Sequence, residues 1–295
     1  MPAADRLVTA AVDLAERRLV PDAGIRWATR RLVANRLDSE RDRDPAERDA
    51  FWAAAQAGPI ALVPDLANEQ HYEVPAAFFD LVLGPRRKYS SAWWPPGVDD
   101  LASAEDAMLA LTAERAGITD GQSILDLGCG WGSFTLWAAE HHPASEVVGV
   151  SNSAGQGDHI LRLAADRGLG NVAVVTADVN DFDPGRRFDR VVSVEMLEHV
   201  RNHRALFERM RGWVVEDGAV FVHVFAHREF AYPFETGGPG SWMAETFFSG
   251  GVMPSVDLLP EAAAPHFDLA GDWWVDGTHY ARTLDAWLGR LDEWE

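Results

Sequence analysis

The chain has 295 residues, a net charge of −20 at pH 7 and 47% hydrophobic residues. That length suits one α/β core with an appended helical part, and the apolar content suits a large buried interior. The acidic balance disfavours nucleic acid, whose binding rests on neutralising phosphates, and also disfavours docking on anionic lipid through a basic face.

A single cysteine, Cys129, excludes an internal disulfide and zinc sites of the cysteine type. Nearly all the positive charge is arginine, and Lys88 is the only lysine. No apolar run reaches the length of a membrane span, and the N-terminus has no signal-peptide core. The expectation is a cytoplasmic enzyme.

Residues 1–70 read as an N-terminal helical extension. Leu7, Ala10, Ala11 and Leu14 recur at helical spacing, and Trp27, Leu32 and Val33 do so more loosely. The mixed-charge run from Asp38 to Asp49 reads as a solvated helix or loop.

Residues 71–100 read as a segment that caps a ligand. Ala76 to Leu83 predicts a short amphipathic helix, which Gly84 and Pro85 stop. Tyr89, Trp93 and Trp94 then cluster around Ser90 and Ser91, and Tyr89 offers both a hydroxyl and a π-face for a cation.

Residues 101–228 read as the core, and residues 229–295 as a substrate-side insertion followed by a C-terminal strand and helix. Leu101 to Ala116 is a helix pattern ended by Gly117. Ser123 to Gly132, SILDLGCGWG, then gives a strand, an acid and three alternate glycines, Gly128, Gly130 and Gly132, ahead of a helix over Ser133–His141. This is the first crossover of a doubly wound sheet. The spacing G-x-G-x-G differs from the dinucleotide fingerprint, and no carboxylate closes the second strand, Val147–Val150. No Gly-Lys-Ser/Thr phosphate loop is present either. Asp126 ahead of the glycines suits a cationic or neutral nucleoside, and S-adenosylmethionine fits.

Further strands are predicted at Val172–Thr176, Asp189–Val194 and Ala219–Phe225, and another near Phe267–Trp274. Helices are expected at Gln156–Arg167 and Leu206–Val214. Strands alternating with helices predict a parallel sheet. Ligands bind at the carboxyl ends of such strands. Those ends hold Asp126, Ser151 and Asn152, Asp178, Glu195 to His199, and His223 to His227, so polar groups gather along one rim.

Five stretches carry a family resemblance: YEVPAAFFDLVLG…KYSSAWW, LDLGCGWGSFTLWAAE, VGVSNSAGQ, SVEMLEHVRNH, and FFSGGVMPSVDLL…WWVDGTHYARTLDAWLGRL. In order and spacing they resemble the cyclopropane fatty acid synthase family, which includes plant coclaurine N-methyltransferases, from about Tyr72 to Leu291. The resemblance implies a Rossmann-like S-adenosylmethionine-dependent methyltransferase fold. It implies that Gly128, Gly130 and Gly132 hold the methionine moiety, that Asn152 and Gln156 meet the ribose, and that Asp178 lies beside the adenine. Tyr89 and Ser90 would close over the cofactor, with Asp126 and Glu195 also counted in its site. Glu198 and His199 match the pair implicated in N-methyltransferase catalysis. Glu198, His223 and Tyr280 match positions that hold bicarbonate in the cyclopropane synthases.

Two departures from the family stand out. Ser91 occupies the position where the cyclopropane synthases have a cysteine. The sequence also stops at Glu295, before the helices and last antiparallel strand that relatives carry, so the usual last hairpin of the sheet is expected to be absent or replaced; either another element covers that edge or the sequence is incomplete. An uncovered edge would invite association into a homo-oligomer.

The expected reaction is N-methylation of a small amine with an apolar body, with Trp242, Phe247, Phe248, Trp273 and Trp274 as candidate contacts for that body. The alternatives are methylene transfer to an unsaturated lipid and a non-catalytic cofactor-binding subunit.

Overall fold

The computed structural model describes residues 17–62, 76–236 and 241–294, together with residues 12, 14 and 15. Leu7, Ala10 and Ala11 lie outside the described residues, as do the 70/71 boundary and the start of the capping segment.

Two helices lead the chain, α1 (Asp22–Asp42) and α2 (Pro45–Ala57). Asp44 separates them, accepting a hydrogen bond from Ala46 N with Pro45 as the first helical residue. The mixed-charge run is thus the joint between two helices. It is not wholly solvated: Glu40 is buried between Arg36 and Arg43. Short α3 (Ala76–Val82) precedes α4 (Leu101–Arg115), which Asp100 caps by accepting from Ser103 N at 2.9 Å.

The core alternates β1 (Ser123–Leu127), α5 (Ser133–His141), β2 (Glu146–Ser151), α6 (Ala154–Asp166), β3 (Val172–Thr176), β4 (Phe188–Val194), α7 (His203–Trp213) and β5 (Val214–His223). The five strands form one parallel sheet in the order β3-β2-β1-β4-β5. Its order reverses at β1, which places the switch point beside the glycine turn. Inner strands bury both faces, which explains their unbroken apolar runs. Leu125, Leu127 and Val191 pack with Leu206, Phe207 and Met210 of α7 on one face. Ile124, Val147 and Val192 pack with Leu109, Phe134 and Trp137 of α4 and α5 on the other.

Two features differ from the sequence-based expectation. The strand β5 begins at Val214, not Ala219. Val214 pairs with Phe188 and Ala219 with Arg190, so the intervening residues bulge out of a continuing ladder. The strand expected near Phe267–Trp274 is absent: residues 268–276 form no ladder. The aromatics there are satisfied in another way, with Arg115 over Trp273 at 5.2 Å and Arg228 over Trp274 at 5.3 Å. Among the described residues no strand pairs with the outer edge of β5.

The remaining elements are β6 (Tyr232–Pro233) and β7 (Val252–Met253), which pair antiparallel, with α8 (Trp242–Thr246) between them, then α9 (Leu258–Ala263) and α10 (Thr278–Trp294). No helix of the described residues is long and apolar enough to cross a membrane.

Candidate active site

The glycine turn is built by three positive φ angles: +84° at Gly128, +53° at Gly130 and +81° at Gly132. Gly128 N and Cys129 N both donate to Val150 O, at 3.0 and 2.9 Å, which pins the turn to β2. The three glycines have different neighbours. A Cβ on Gly128 would lie 2.5 Å from Met196 Cγ, and one on Gly132 would lie 2.6 Å from Ile160 Cγ1. A Cβ on Gly130 would meet no protein atom within 4 Å. Two glycines therefore admit neighbouring side chains, and the middle one faces open space. Asp126 is buried beneath the turn and accepts from Thr135 Oγ1 at 2.6 Å. Burial raises its pKa to about 6, opposed by the Thr135 hydrogen bond and by Lys88.

At the end of β2, Ser151 Oγ donates to Gln156 Oε1 at 2.6 Å, and Ser153 caps α6. Gln156 is buried, whereas Asn152 is half-buried. After β3, Asp178 accepts from Asn180 N at 2.8 Å.

The capping segment is fixed from below by Glu105 of α4, a fully buried carboxylate that accepts from Gly84 N (3.1 Å), Arg86 N (2.9 Å) and Lys88 N (3.3 Å). The segment then turns the Lys88 ammonium inward, where it donates to Ser90 Oγ. The Tyr89 ring lies between Phe79 and Trp287, with centroids 5.2 and 5.7 Å away. Ser91 N donates to Glu195 Oε1 at 2.8 Å, joining the cap to the end of β4.

Beyond β4 the chain bends sharply at Glu195, whose φ of +50° is unusual for a residue with a side chain. Its second oxygen accepts from Tyr280 Oη of α10 at 2.9 Å. Burial raises its pKa, while Lys88, Ser91 N and Tyr280 oppose the rise. Glu198 follows on a 3-10 turn, Leu197–His199, and is 0% exposed. Its Oε1 accepts from Phe225 N at 2.9 Å, and its buried Oε2 has no hydrogen-bond partner among the described residues. Burial, reinforced by the Glu195 charge, lifts this carboxyl well above the ordinary range. His199 stacks on Phe248 at 5.1 Å, and Phe234 stacks on Phe248 at 4.8 Å, so an imidazole and two phenyl rings form one column.

Tyr280 thus contacts Glu195 directly. His223 closes β5 near Lys88 and Arg115; burial first, then those two cations, lower its pKa to about 3 and keep it neutral. Of the five aromatics read as candidate contacts, Phe248 stands at His199. Trp242 packs on Phe247, while Trp273 and Trp274 lie under Arg115 and Arg228.

Three structural contributors escaped the sequence reading. Glu105 organises the cap, and Ser193 Oγ donates to Leu127 O at 2.8 Å, fixing β4 against β1. His203 Nε2 donates to Leu197 O at 2.9 Å and so holds the turn that carries Glu198 and His199. Ser193 and His203 open and close the SVEMLEHVRNH stretch, which pointed to Glu198 and His199 instead; a lone acid among the small residues of α4 was the only available sign of Glu105.

Trp131 Nε1, Ser133 Oγ and Gln156 Nε2, all in or beside the glycine turn, are buried without hydrogen-bond partners among the described residues. Buried polar atoms normally find partners. Together with the open space above Gly130, they fit a polar nucleoside cofactor. No cluster among the described residues could hold a metal ion.

A family model described as mycolic acid cyclopropane synthetase matches residues 64–295. The (S)-coclaurine N-methyltransferase of Thalictrum flavum subsp. glaucum is 33% identical over 286 residues, covering 94% of this chain and 78% of that protein. The cyclopropane-fatty-acyl-phospholipid synthase of Escherichia coli strain K12 is 31% identical over 229 residues, covering 77% of this chain and 56% of that protein. The crystal structure of coclaurine N-methyltransferase bound to N-methylheliamine and SAH superposes with a TM-score of 0.91 at 31% identity, over 97% of this chain and 84% of that one. With that family model matched over most of the chain, the chain belongs to the mycolic acid cyclopropane synthetase family and is an S-adenosylmethionine-dependent methyltransferase.

Proposed function

We propose that the chain methylates the nitrogen of a small amine that carries an aryl or alkyl body. The observation that carries this reading is Glu198 Oε2, a buried carboxyl oxygen with no donor among the described residues, on the same short turn as His199 of the His199–Phe248–Phe234 column. An ammonium or amine N–H is the donor such an oxygen lacks, and the stacked rings suit an apolar body. The similarity to coclaurine N-methyltransferase over most of the chain supports it.

The cofactor, when bound, supplies an electrophilic methyl group. Gly128, Gly130, Gly132, Asn152, Gln156 and Asp178 would hold it, with Tyr89 and Ser90 closing above. The protein's own task is to align the acceptor, exclude water and take a proton. An ammonium cannot attack until it loses that proton. Burial and the Glu195 charge raise the proton affinity of Glu198, and in its ionised form it would accept that proton at Oε2. His199, ordered by its stack on Phe248, orients the acceptor beside it. The acidic surface attracts a cationic substrate. Action in the cytoplasm and self-association through the β5 edge, which no strand among the described residues covers, go with this reading; light scattering tests the latter.

The test is an acceptor screen with labelled cofactor over arylalkylamines, isoquinolines and unsaturated phospholipids. Amines should take label, and Glu198→Gln, which removes the proton acceptor, should lower turnover by about 10²–10⁴. His199→Ala should lower it too, with cofactor affinity unchanged in both. Label appearing only in phospholipid, with turnover dependent on bicarbonate, would replace the amine reading by methylene transfer.

A further inference from the structure

Lys88 is the chain's only lysine, is 2% exposed, and stands among acids contributed by three different elements. The charges of Glu105 on α4, Asp126 on β1 and Glu195 at the end of β4 all act on it, Glu195 most strongly of the three, and Ser91 N, three residues along the chain from Lys88, donates a hydrogen bond to Glu195 at 2.8 Å. His223 of β5 feels the same ammonium. A lysine is rarely buried at this depth without compensating negative charge. Each neighbouring acid is engaged differently. Glu105 is spent on three backbone amides of the cap, and Asp126 on Thr135. Glu195 is the acid tied both to the cap, through Ser91 N, and to α10, through Tyr280 Oη.

Glu195 and Glu198 lie three residues apart at the end of β4, and the Glu195 charge raises the proton affinity of Glu198. Two such groups divide one proton according to their surroundings. Glu195 has two donors and faces Lys88. Glu198 has one donor, and it lies within electrostatic reach of Glu195 and Tyr280.

We propose that the Lys88 ammonium is the counter-ion that keeps Glu195 ionised, so that Glu198 is the carboxylate that takes the acceptor's proton. Lys88 is then a positioning residue, acting through Glu195, and this inference rests on the amine reading above. Burial lowers the lysine's pKa to about 8, against the three acids, so it remains mostly protonated at pH 7. Without it, Glu195 would capture the proton first. Glu198 would then face a neutral neighbour, ionise at lower pH and become a weaker base.

A single lysine makes the test clean. Protein grown on lysine labelled with ¹³C at Cε shows one labelled methylene resonance, whose pH titration reports Lys88 alone. The midpoint should lie near 8, and Glu195→Gln should lower it by about one unit or more. A midpoint indifferent to Glu195→Gln overturns the pairing. In turnover with tetrahydroisoquinoline, Lys88→Met should move the acid limb of the kcat profile down by about one pH unit, and Lys88→Arg should restore it. A Lys88→Met chain that loses only melting temperature or cofactor affinity, with its limb unmoved, overturns the proposal in favour of a purely structural lysine. Should Lys88→Met not fold, the Glu195→Gln titration and the Lys88→Arg profile still decide. The resonance needs no acceptor. A chain that methylates no amine while its lysine answers Glu195→Gln sinks the amine reading and leaves the pairing; the reverse result sinks the pairing alone.

Discussion

Tyr280 donates its hydroxyl to Glu195 Oε2 at 2.9 Å, joining the last helix to the carboxyl end of β4. Burial, and then the Glu195 charge, push the phenol well above its ordinary range, so it remains a donor at any working pH.

Tyr280→Phe should therefore act first on Glu195. Removing one donor from a buried carboxylate costs about 1.5–3 kcal/mol, read as a lower melting temperature. Methylation of an amine by this variant should fall without acquiring any response to added bicarbonate. Restoration by bicarbonate would instead mark Tyr280 as part of an anion site and favour the lipid reaction.

The three glycines of the turn should separate by measurement. Gly132→Ala drives a Cβ into Ile160 at a residue with φ of +81°, so thermal unfolding should show a loss of about 1–3 kcal/mol. Gly130→Asn should fold, because asparagine tolerates φ of +53° and its Cβ meets no protein atom within 4 Å. Calorimetry should nonetheless find its affinity for S-adenosylhomocysteine reduced, and Gly130→Val should abolish binding. Undiminished affinity in both would place the cofactor elsewhere.

His203 gives a pH signature. Burial lowers its pKa to about 4 from an ordinary 6.5, opposed by its bond to Leu197. A depressed histidine contributes stability that is present above pH 6.5 and is lost as pH falls towards 4. Unfolding in denaturant should thus show wild type exceeding His203→Gln by more at pH 7 than at pH 4. The difference should shrink by on the order of 3 kcal/mol at most. Turnover should fall in the variant as well, since the loosened turn carries Glu198 and His199.

The parallel sheet was legible because its strands are buried on both faces and end in punctuated turns. Helix α5 matched its expected bounds, Ser133–His141. Local punctuation misled at Glu216–Gly218, which resembles a turn between α7 and the next strand. Pairing of Val214 with Phe188 overrides it, a contact that no local pattern encodes. The run ending in Trp273 and Trp274 has strand-forming residues, yet arginines from distant segments stack on them and no partner strand is at hand. At the site, the motifs located the rim but not the charge arrangement within it. Burial of Lys88 and Glu105 contradicts the usual preference of both residue types, so composition pointed the other way. Their positions follow from the fold of residues 84–91 over α4, which spacing alone does not reveal.

The end of the N-terminal extension is stitched to the loops around the rim. Ile60 O accepts from Arg201 N and Asn202 N at 2.7 and 3.1 Å, and Asn202 Nδ2 reaches back to Gln56 O and Gly58 O. Asn180 closes a two-way pair with the backbone of Ala61 beyond β3. These bonds engage residues that directly follow the His199 turn and the Asp178 loop. Any exchange of the first 60 residues between relatives would therefore change the fit of both loops, so a graft must carry the 56–61 strap together with its partners Asn180 and Asn202.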